Sequence, residues 1–534
     1  MKKKYLSLVL SLIVVLALAL SGCSGGSSSK SSNSAGKTLV FGRGADTTSL
    51  DPAVVTDGES FRVTQNIFDT LVSYNYSKQS TDVIPSLATS WKITNGGKTY
   101  TFNLKKGVKF QDGTAFNAQA VVFNFNRWMN GKKSGKFAYF PSMFGGYKGD
   151  AGLVIKSVTA PNASTVVFSL KRPSAPFLKN LAMSPFAISS PAAVKKYGSK
   201  YGSTAAVGTG AYSFKSWKRN DTITLVKSKN YWKKGLPKIS KLIFKVIPDN
   251  SSRLNALKNG EIDLMDGVNP SDVSGVSGNK QYHVYYRPPM NIAYMGFNVT
   301  MKPFNNKKVR QALNMAVDKS AIIKAFYNGQ AQAATNPMPP SLLGFDKNIK
   351  PYAYNLKAAK KLLAEAGYPN GFSTTLYTMS NPRDYMPEPQ NVAQSVQSTF
   401  GKIGVKVKIV TVEWSSYIAK LTKGGAPMYM MGWTGDNGDP DNFLYTLLDK
   451  DSIGANNFSF YQNAQLHKIL INAQTETNDA KRVALYDKAQ VILHSDAPWV
   501  PLVYGKPVLV GKSTITGYTP SPTGTEPLDT VNIK

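Results

Sequence analysis

The sequence predicts an α/β protein of more than one lobe, on three observations. The chain has 534 residues, more than one hydrophobic core organises. Its hydrophobic content of 42% is ordinary for a soluble globular chain. Between 372 and 431, strand-like and helix-like periodicities alternate, which is the pattern of a parallel sheet.

The elements follow in order. Residues 1–22 read as a signal peptide: a basic start at Met1 to Lys4, then an apolar run from Leu6 to Leu20 that is short for a membrane span. The run ends in Leu20-Ser21-Gly22-Cys23, which resembles a bacterial lipobox, where cleavage before the cysteine precedes lipid attachment to it. Cys23 is the chain's only cysteine, so no intramolecular disulfide forms. Residues 23–36 are Ser/Gly-rich and predict a lipid-anchored flexible tether. Thr38 to Gly42 predicts a first strand. The Gly42-Arg43-Gly44 that closes it lacks the third glycine of a dinucleotide loop, because position 47 is Thr.

Trp91 to Leu104 predicts a hairpin about Asn95-Gly96-Gly97, and a helix bearing Val121, Val122 and Phe125 follows. Strands are expected at 208–214, 222–226 and 241–247, and a helix at 251–259 with Leu254 and Leu257 inward. In the second half Asn305 is expected to cap a helix whose Val309, Leu313, Ala316 and Val317 share a face. Asp318 caps the next, with Ile322 and Phe326 inward, and 355–366 predicts another helix. Then strands at 372–379, 405–412 and 428–431 alternate with helices at 388–402 and 414–421.

Charge and composition exclude several functions. The net charge of +33 becomes +30 without the three lysines of the signal peptide, yet the cations are spread along the chain and no nucleic-acid motif is present. Such an exterior suits anionic lipid or cell-wall polymer rather than nucleic acid. His283, His467 and His494 lack metal-type spacing and read as solvated or packed imidazoles. Zinc and cysteine-nucleophile chemistry are not expected, and neither a metal nor a cofactor is predicted.

The stretch Gly432 to Phe443, GWTGDNGDPDNF, draws the argument to a site. It reads as a Gly-rich acidic loop leaving a buried strand, and its three aspartates contrast with the cationic chain. A plain surface turn also fits this composition; a calcium loop does not, because ligand residues fail to alternate. Parallel strands connected by right-handed crossovers place their carboxyl ends on one edge, outside which ligands bind. Two loops leave that edge. One carries Arg383, the other Trp433 and Asp436. A guanidinium forks onto a carboxylate, an aspartate accepts from an ammonium, and an indole offers a flat apolar face. The set suits a zwitterion, although an Arg–Asp pair in a crevice is also compatible with a simple salt bridge.

Several segments in order resemble the extracellular solute-binding proteins of family 5, which serve peptide-importing ABC transporters. They are Leu87 to Trp128, Val207 to Phe214, Lys308 to Gln330, Ala358 to Phe372 and Met431 to Phe443. The resemblance implies a two-lobed type II periplasmic-binding-protein-like clamp of mixed sheets flanked by helices. Lobe I would be 37–288, with an extra subdomain at about 75–205, and the chain would return to it at 505–534; lobe II would be 289–504. The family implies that Arg383 holds a dipeptide's carboxylate, that Asp436 holds its ammonium, and that Trp433 lines the side-chain pocket; Gly432 and Tyr385 are further candidate ligand-binding residues. Lobe I contacts are placed within Asp57 to Ser60, at Gly58 and Ser60. One added residue would move a terminus by roughly 3.3–3.6 Å, so the two anchors would measure length. Asp384, beside Arg383, departs from the family pattern. The expected partners are a dipeptide or short peptide, ABC permease subunits and the membrane through Cys23, for a monomer on the extracytoplasmic face. Other cargo carried by the family, such as longer peptides, haem, nickel chelates or oligosaccharides, stays open, as does a peptide-sensing receptor. A peptidase is disfavoured by the lack of G-x-S-x-G, H-E-x-x-H and a reactive cysteine.

Overall fold

The computed structural model describes residues 37–534. The signal peptide, Cys23 and the tether lie outside the described residues. Among the described residues no helix is long and apolar enough to cross a membrane.

Two large mixed sheets organise the chain. The first runs in the order Tyr282–Tyr286, Val508–Lys512, Leu264–Asp266, Thr38–Arg43, Lys241–Val246, Thr222–Lys227, Tyr212–Lys218. The second runs Ala331–Ala333, Trp499–Gly505, Asn291–Phe297, Met428–Thr434, Ser373–Met379, Lys406–Val412. Its last three strands are parallel to one another, as the alternating pattern predicts, and Met428–Thr434 pairs antiparallel with Asn291–Phe297. The chain passes between the sheets at 287–290 and at 506–507. These two short segments are bonded to each other, Arg287 N–H donating to the Pro507 carbonyl at 3.0 Å. This is the predicted two-lobed clamp.

A third, four-stranded antiparallel sheet is inserted in the first half, in the order Ala88–Thr94, Thr99–Leu104, Thr165–Leu170, Ile155–Asn162. Its hairpin turns at Asn95, Gly96 and Gly97, all with positive φ. Alternation along Thr99–Leu104 sends Tyr100, Phe102 and Leu104 inward. The helix Ala118–Met129 covers this face with Val121, Phe125 and Trp128. The core there is aromatic: Phe125 meets Trp128 and Phe168 with ring centroids 4.7 Å apart in both cases.

The structure moves some boundaries. Asn306 rather than Asn305 caps Lys307–Met315, its side chain accepting from Lys308 N–H at 2.9 Å. The strand expected at 208–214 begins at Tyr212, because Gly208 and Gly210 lie against Ile67 and Phe68; a Cβ there would fall 2.3 and 2.5 Å from backbone atoms of Ile67. The strand before the acidic stretch continues to Thr434, so Gly432 and Trp433 belong to the sheet and the loop begins at Gly435.

Truncating Phe125 to Ala should cost about 3–5 kcal/mol of unfolding free energy. Denaturant melts of the purified protein check this; a loss below about 1 kcal/mol would mean that the aromatic cluster is not close-packed.

Candidate functional site

A cavity of about 1000 Å³ lies where the two large sheets and the inserted unit meet, and it holds most of the predicted site residues. Arg383, Asp384, Tyr385, Gly432, Trp433, Asp436 and Gly58 all line it.

The first wall is built by a tight turn. After Ser373–Met379 the chain closes on itself, Arg383 N–H donating to the Met386 carbonyl at 3.0 Å and Met386 N–H returning to Arg383 at 2.8 Å. Asp384 and Tyr385 form the tip. Tyr327 hydroxyl fastens the tip by donating to the Tyr385 carbonyl at 2.9 Å. The Tyr385 ring packs on Gly432, where a Cβ would lie 2.2 Å from the ring and 2.5 Å from the Ile292 carbonyl oxygen. Gly432 is therefore a seat for Tyr385. The Arg383 guanidinium lies 3.6 Å from the centre of the Trp414 ring, a cation–π stack. Its Nε is buried without a hydrogen-bond partner among the described residues.

Asn442 builds the second wall. Its carbonyl oxygen accepts from Trp433 Nε1 at 3.0 Å and from Asp436 N–H at 2.9 Å, while its amide donates to Asp436 at 3.0 Å. One side chain thus orients both the indole and the carboxylate. Tyr139 hydroxyl, from the inserted unit, donates to the other Asp436 oxygen at 2.8 Å. Burial raises the Asp436 carboxyl to about 6, with the bonds from Asn442 and Tyr139 opposing. The other two aspartates of the stretch are structural. Asp439 pairs with Arg482 at 2.9 Å, and Asp441 accepts from Gln474 at 2.9 Å. The loop is also tied to the inserted unit, Lys179 donating to the Gly438 carbonyl at 2.6 Å and Asn437 to Asn180 at 2.7 Å.

The third wall is the helix Gly58–Ile67. Asp57 caps it by accepting from Ser60 N–H at 2.8 Å. Ser60 departs from expectation: it is fully buried and absent from the lining, its hydroxyl bonding Asp57 at 2.8 Å and accepting from Thr48 N–H at 2.9 Å. The helix instead presents Glu59 and Arg62, which pair at 3.0 Å. Arg62 also pairs with Asp266. Burial works against its charge, but Asp266 and Glu59 outweigh that and hold it firmly protonated.

Sequence reasoning missed Trp414, Tyr139, Asn442 and the Glu59–Arg62 pair. Asn442 and the cap at Asp57 were visible as letters, whereas Tyr139 arrives only through the tertiary fold. Among the described residues, Asp449, Asp451 and His467 bring possible metal-ligand atoms within 4.8 Å of one another; none of the three lines the cavity.

Two lobes joined by paired short segments, with a solute-sized cavity at the strand ends between them, define a type II periplasmic-binding-protein fold. The chain belongs to the bacterial extracellular solute-binding proteins, family 5, whose middle region matches residues 82–455. It is 35% identical over 531 residues to heme-binding protein A of Haemophilus influenzae, covering 95% of each chain. It is 34% identical over 522 residues to the dipeptide-binding protein of Escherichia coli, covering 93% of this chain and 95% of that one. Among solved structures it resembles the ABC transporter-associated periplasmic binding protein DppA of Helicobacter pylori in complex with the peptide STSA. That match has a TM-score of 0.80 and 38% identity, over 93% of this chain and 98% of the other.

Gly432→Ala should displace Tyr385 and loosen the turn that carries Arg383. Overpacking of this kind costs about 1–3 kcal/mol. The variant should therefore melt earlier and also bind ligand more weakly; unchanged affinity would separate the turn from the site.

Proposed function

We propose that the protein is an extracytoplasmic lipoprotein that binds dipeptides by their two termini and delivers them to an ABC permease. In this reading 37–288 and 505–534 form one jaw, with the insertion at about 75–205, and 289–504 the other. The observation that carries it is the pairing of Arg383 and Asp436 in one cavity without contact between them. Among the described residues the Arg383 side chain donates no hydrogen bond. Its planar face is held by Trp414, which leaves its edge for a carboxylate. Asp436 is oriented by Asn442 and Tyr139 and sits where burial makes an unpaired negative charge costly. An ammonium relieves that cost. Trp433 gives the ligand an apolar wall.

Closure follows from the same contacts. A ligand touching both jaws favours the closed state by its differential affinity for it. Lys179, Asn180 and Tyr139 already reach the acidic loop, so ligand adds to an existing set of bonds. Lipid on Cys23 would keep the protein beside its permease, two or more acyl chains being needed for stable anchoring. No step of this cycle breaks a covalent bond, and dipeptides should be recovered intact.

The cavity volume supports a second reading with larger cargo. About 1000 Å³ is at the upper end for small-ligand sites and leaves room beyond two residues. A relative named for heme binding and a structural neighbour holding STSA point the same way. Calorimetry with dipeptides, tetrapeptides and haem separates the readings; comparable tetrapeptide affinity would overturn dipeptide selectivity.

Two outcomes are expected for the dipeptide reading. Arg383→Lys keeps the charge but loses the fork and the flat stack, and should weaken binding about tenfold or more. Equal affinity would remove Arg383 from carboxylate binding. Asp436 must be ionised to accept an ammonium, and its raised value of about 6 means that it becomes neutral as pH falls through that point. Affinity should therefore drop about tenfold from about pH 7.5 to about pH 5, and Asp436→Asn should flatten that dependence.

A further inference from the structure

The cavity differs in charge from the rest of the molecule. The chain carries 64 basic and 31 acidic residues, yet the cavity is lined by six carboxylates (Asp57, Glu59, Asp249, Asp266, Asp384, Asp436) and five cations. A twofold cationic excess becomes a slight anionic one.

The imbalance centres on the tip of the Arg383–Met386 turn. Asp384 is exposed, and it lines the cavity. Among the described residues no group donates a hydrogen bond to its carboxylate and none forms an ion pair with it. Of the cations that act on Asp384, Arg62 and Arg287 are committed elsewhere. Arg62 serves both Asp266 and Glu59. Arg287 pairs with Glu526 at 2.7 Å and also donates to the Ser521 carbonyl. Arg43, 4.0 Å from Glu59, pairs with Asp46 at 3.0 Å. Arg383 stacks on Trp414 and is assigned to the peptide carboxylate in the reading above. Counting all of these gives five carboxylates (Asp46, Glu59, Asp266, Asp384, Glu526) against four guanidiniums (Arg43, Arg62, Arg287, Arg383). The surrounding protein withdraws bulk water from the Asp384 carboxyl although it keeps contact with the cavity, and that, then Asp266, raises it, against the pull of Arg287, Arg62 and Arg383. Glu59 is raised too, by burial first. Asp384 is therefore without a partner cation among the described residues, while Glu59 shares Arg62 with Asp266.

We propose that Asp384 is a specificity residue that selects peptides bearing a cationic side chain, whose ammonium or guanidinium docks on Asp384 beside Glu59. This rests on the peptide reading above and names the class of peptide within it. A zwitterion that engages Arg383 and Asp436 brings no net charge, so it leaves the turn tip uncompensated; a lysine or arginine side chain supplies the missing cation. Anionic cargo is disfavoured by the same field. Haem propionates and acidic side chains would meet Asp384, Glu59 and Asp266.

The test is calorimetry on the full chain with Ala-Lys, the near-isosteric neutral Ala-Met, and Ala-Glu. Ala-Lys should bind about tenfold more tightly than Ala-Met, and Ala-Glu more weakly than either. Asp384→Asn should shrink the Lys-over-Met ratio to about two, whereas Asp384→Glu should keep most of it. Circular dichroism identifies any variant that fails to fold, and the Glu variant then carries the test. Equal affinity of wild type for Ala-Lys and Ala-Met overturns this inference and leaves the peptide reading standing. Equal weakening of both peptides by Asp384→Asn also overturns it, because Asp384 would then be holding a group common to both, such as the peptide ammonium. If no peptide binds but haem does, the peptide reading falls and this inference falls with it.

Discussion

The site depends on a missing side chain. Gly432 sits within a strand of the six-stranded mixed sheet, and its bare Cα admits the Tyr385 ring against the Ile292 carbonyl. Tyr385 in turn holds a four-residue turn, and that turn sets Arg383 on the Trp414 face and Asp384 at the cavity wall. Protein interiors are close-packed, so a methyl group here has nowhere to go without moving the ring. The position of a guanidinium that faces the cavity is thus decided by packing on the opposite side of its own loop.

The same economy appears at Asn442. A single buried amide uses both its acceptor and its donor to align an indole, a backbone N–H and a carboxylate. Its flat, rigid geometry fixes Trp433 and Asp436 relative to each other. Buried polar groups of this kind are costly unless satisfied, and here satisfaction and positioning are one arrangement. The cationic exterior and the anionic cavity are separated by these walls, so charge on the surface says little about charge inside.

Much of the architecture was legible from periodicity. The parallel trio of strands, the hairpin at Asn95–Gly97 and the apolar faces of 118–129 and 307–315 follow from apolar spacing and turn residues, which are local signals. The cap at Asn306 was missed by one position because Asn305 and Asn306 are both asparagine, and only backbone geometry distinguishes them. The site was partly legible. Arg383, Trp433 and Asp436 were found because they flank strand ends, and the cavity gathers them. Ser60 was misplaced because an exposed-looking serine beside Asp57 and Gly58 is equally a capping residue, and the cap took its hydroxyl. Tyr139 and Glu526 were invisible in principle: each comes from a distant segment, and no local pattern encodes the distance between them and the cavity.

The path of the chain ties distant segments into one sheet. Tyr282–Tyr286 has a single neighbour in its sheet, Val508–Lys512, and that neighbour also pairs with Leu264–Asp266. Ordered from its amino-terminal side, the chain leaves Leu264–Asp266 and Tyr282–Tyr286 without the strand they share until Val508–Lys512 is in place. Closing so long a loop is entropically slow, and an unpaired edge invites the wrong partner. The first sheet is therefore completed only after the chain has passed through the second and returned, so the two halves of that jaw depend on each other across the whole of the intervening lobe.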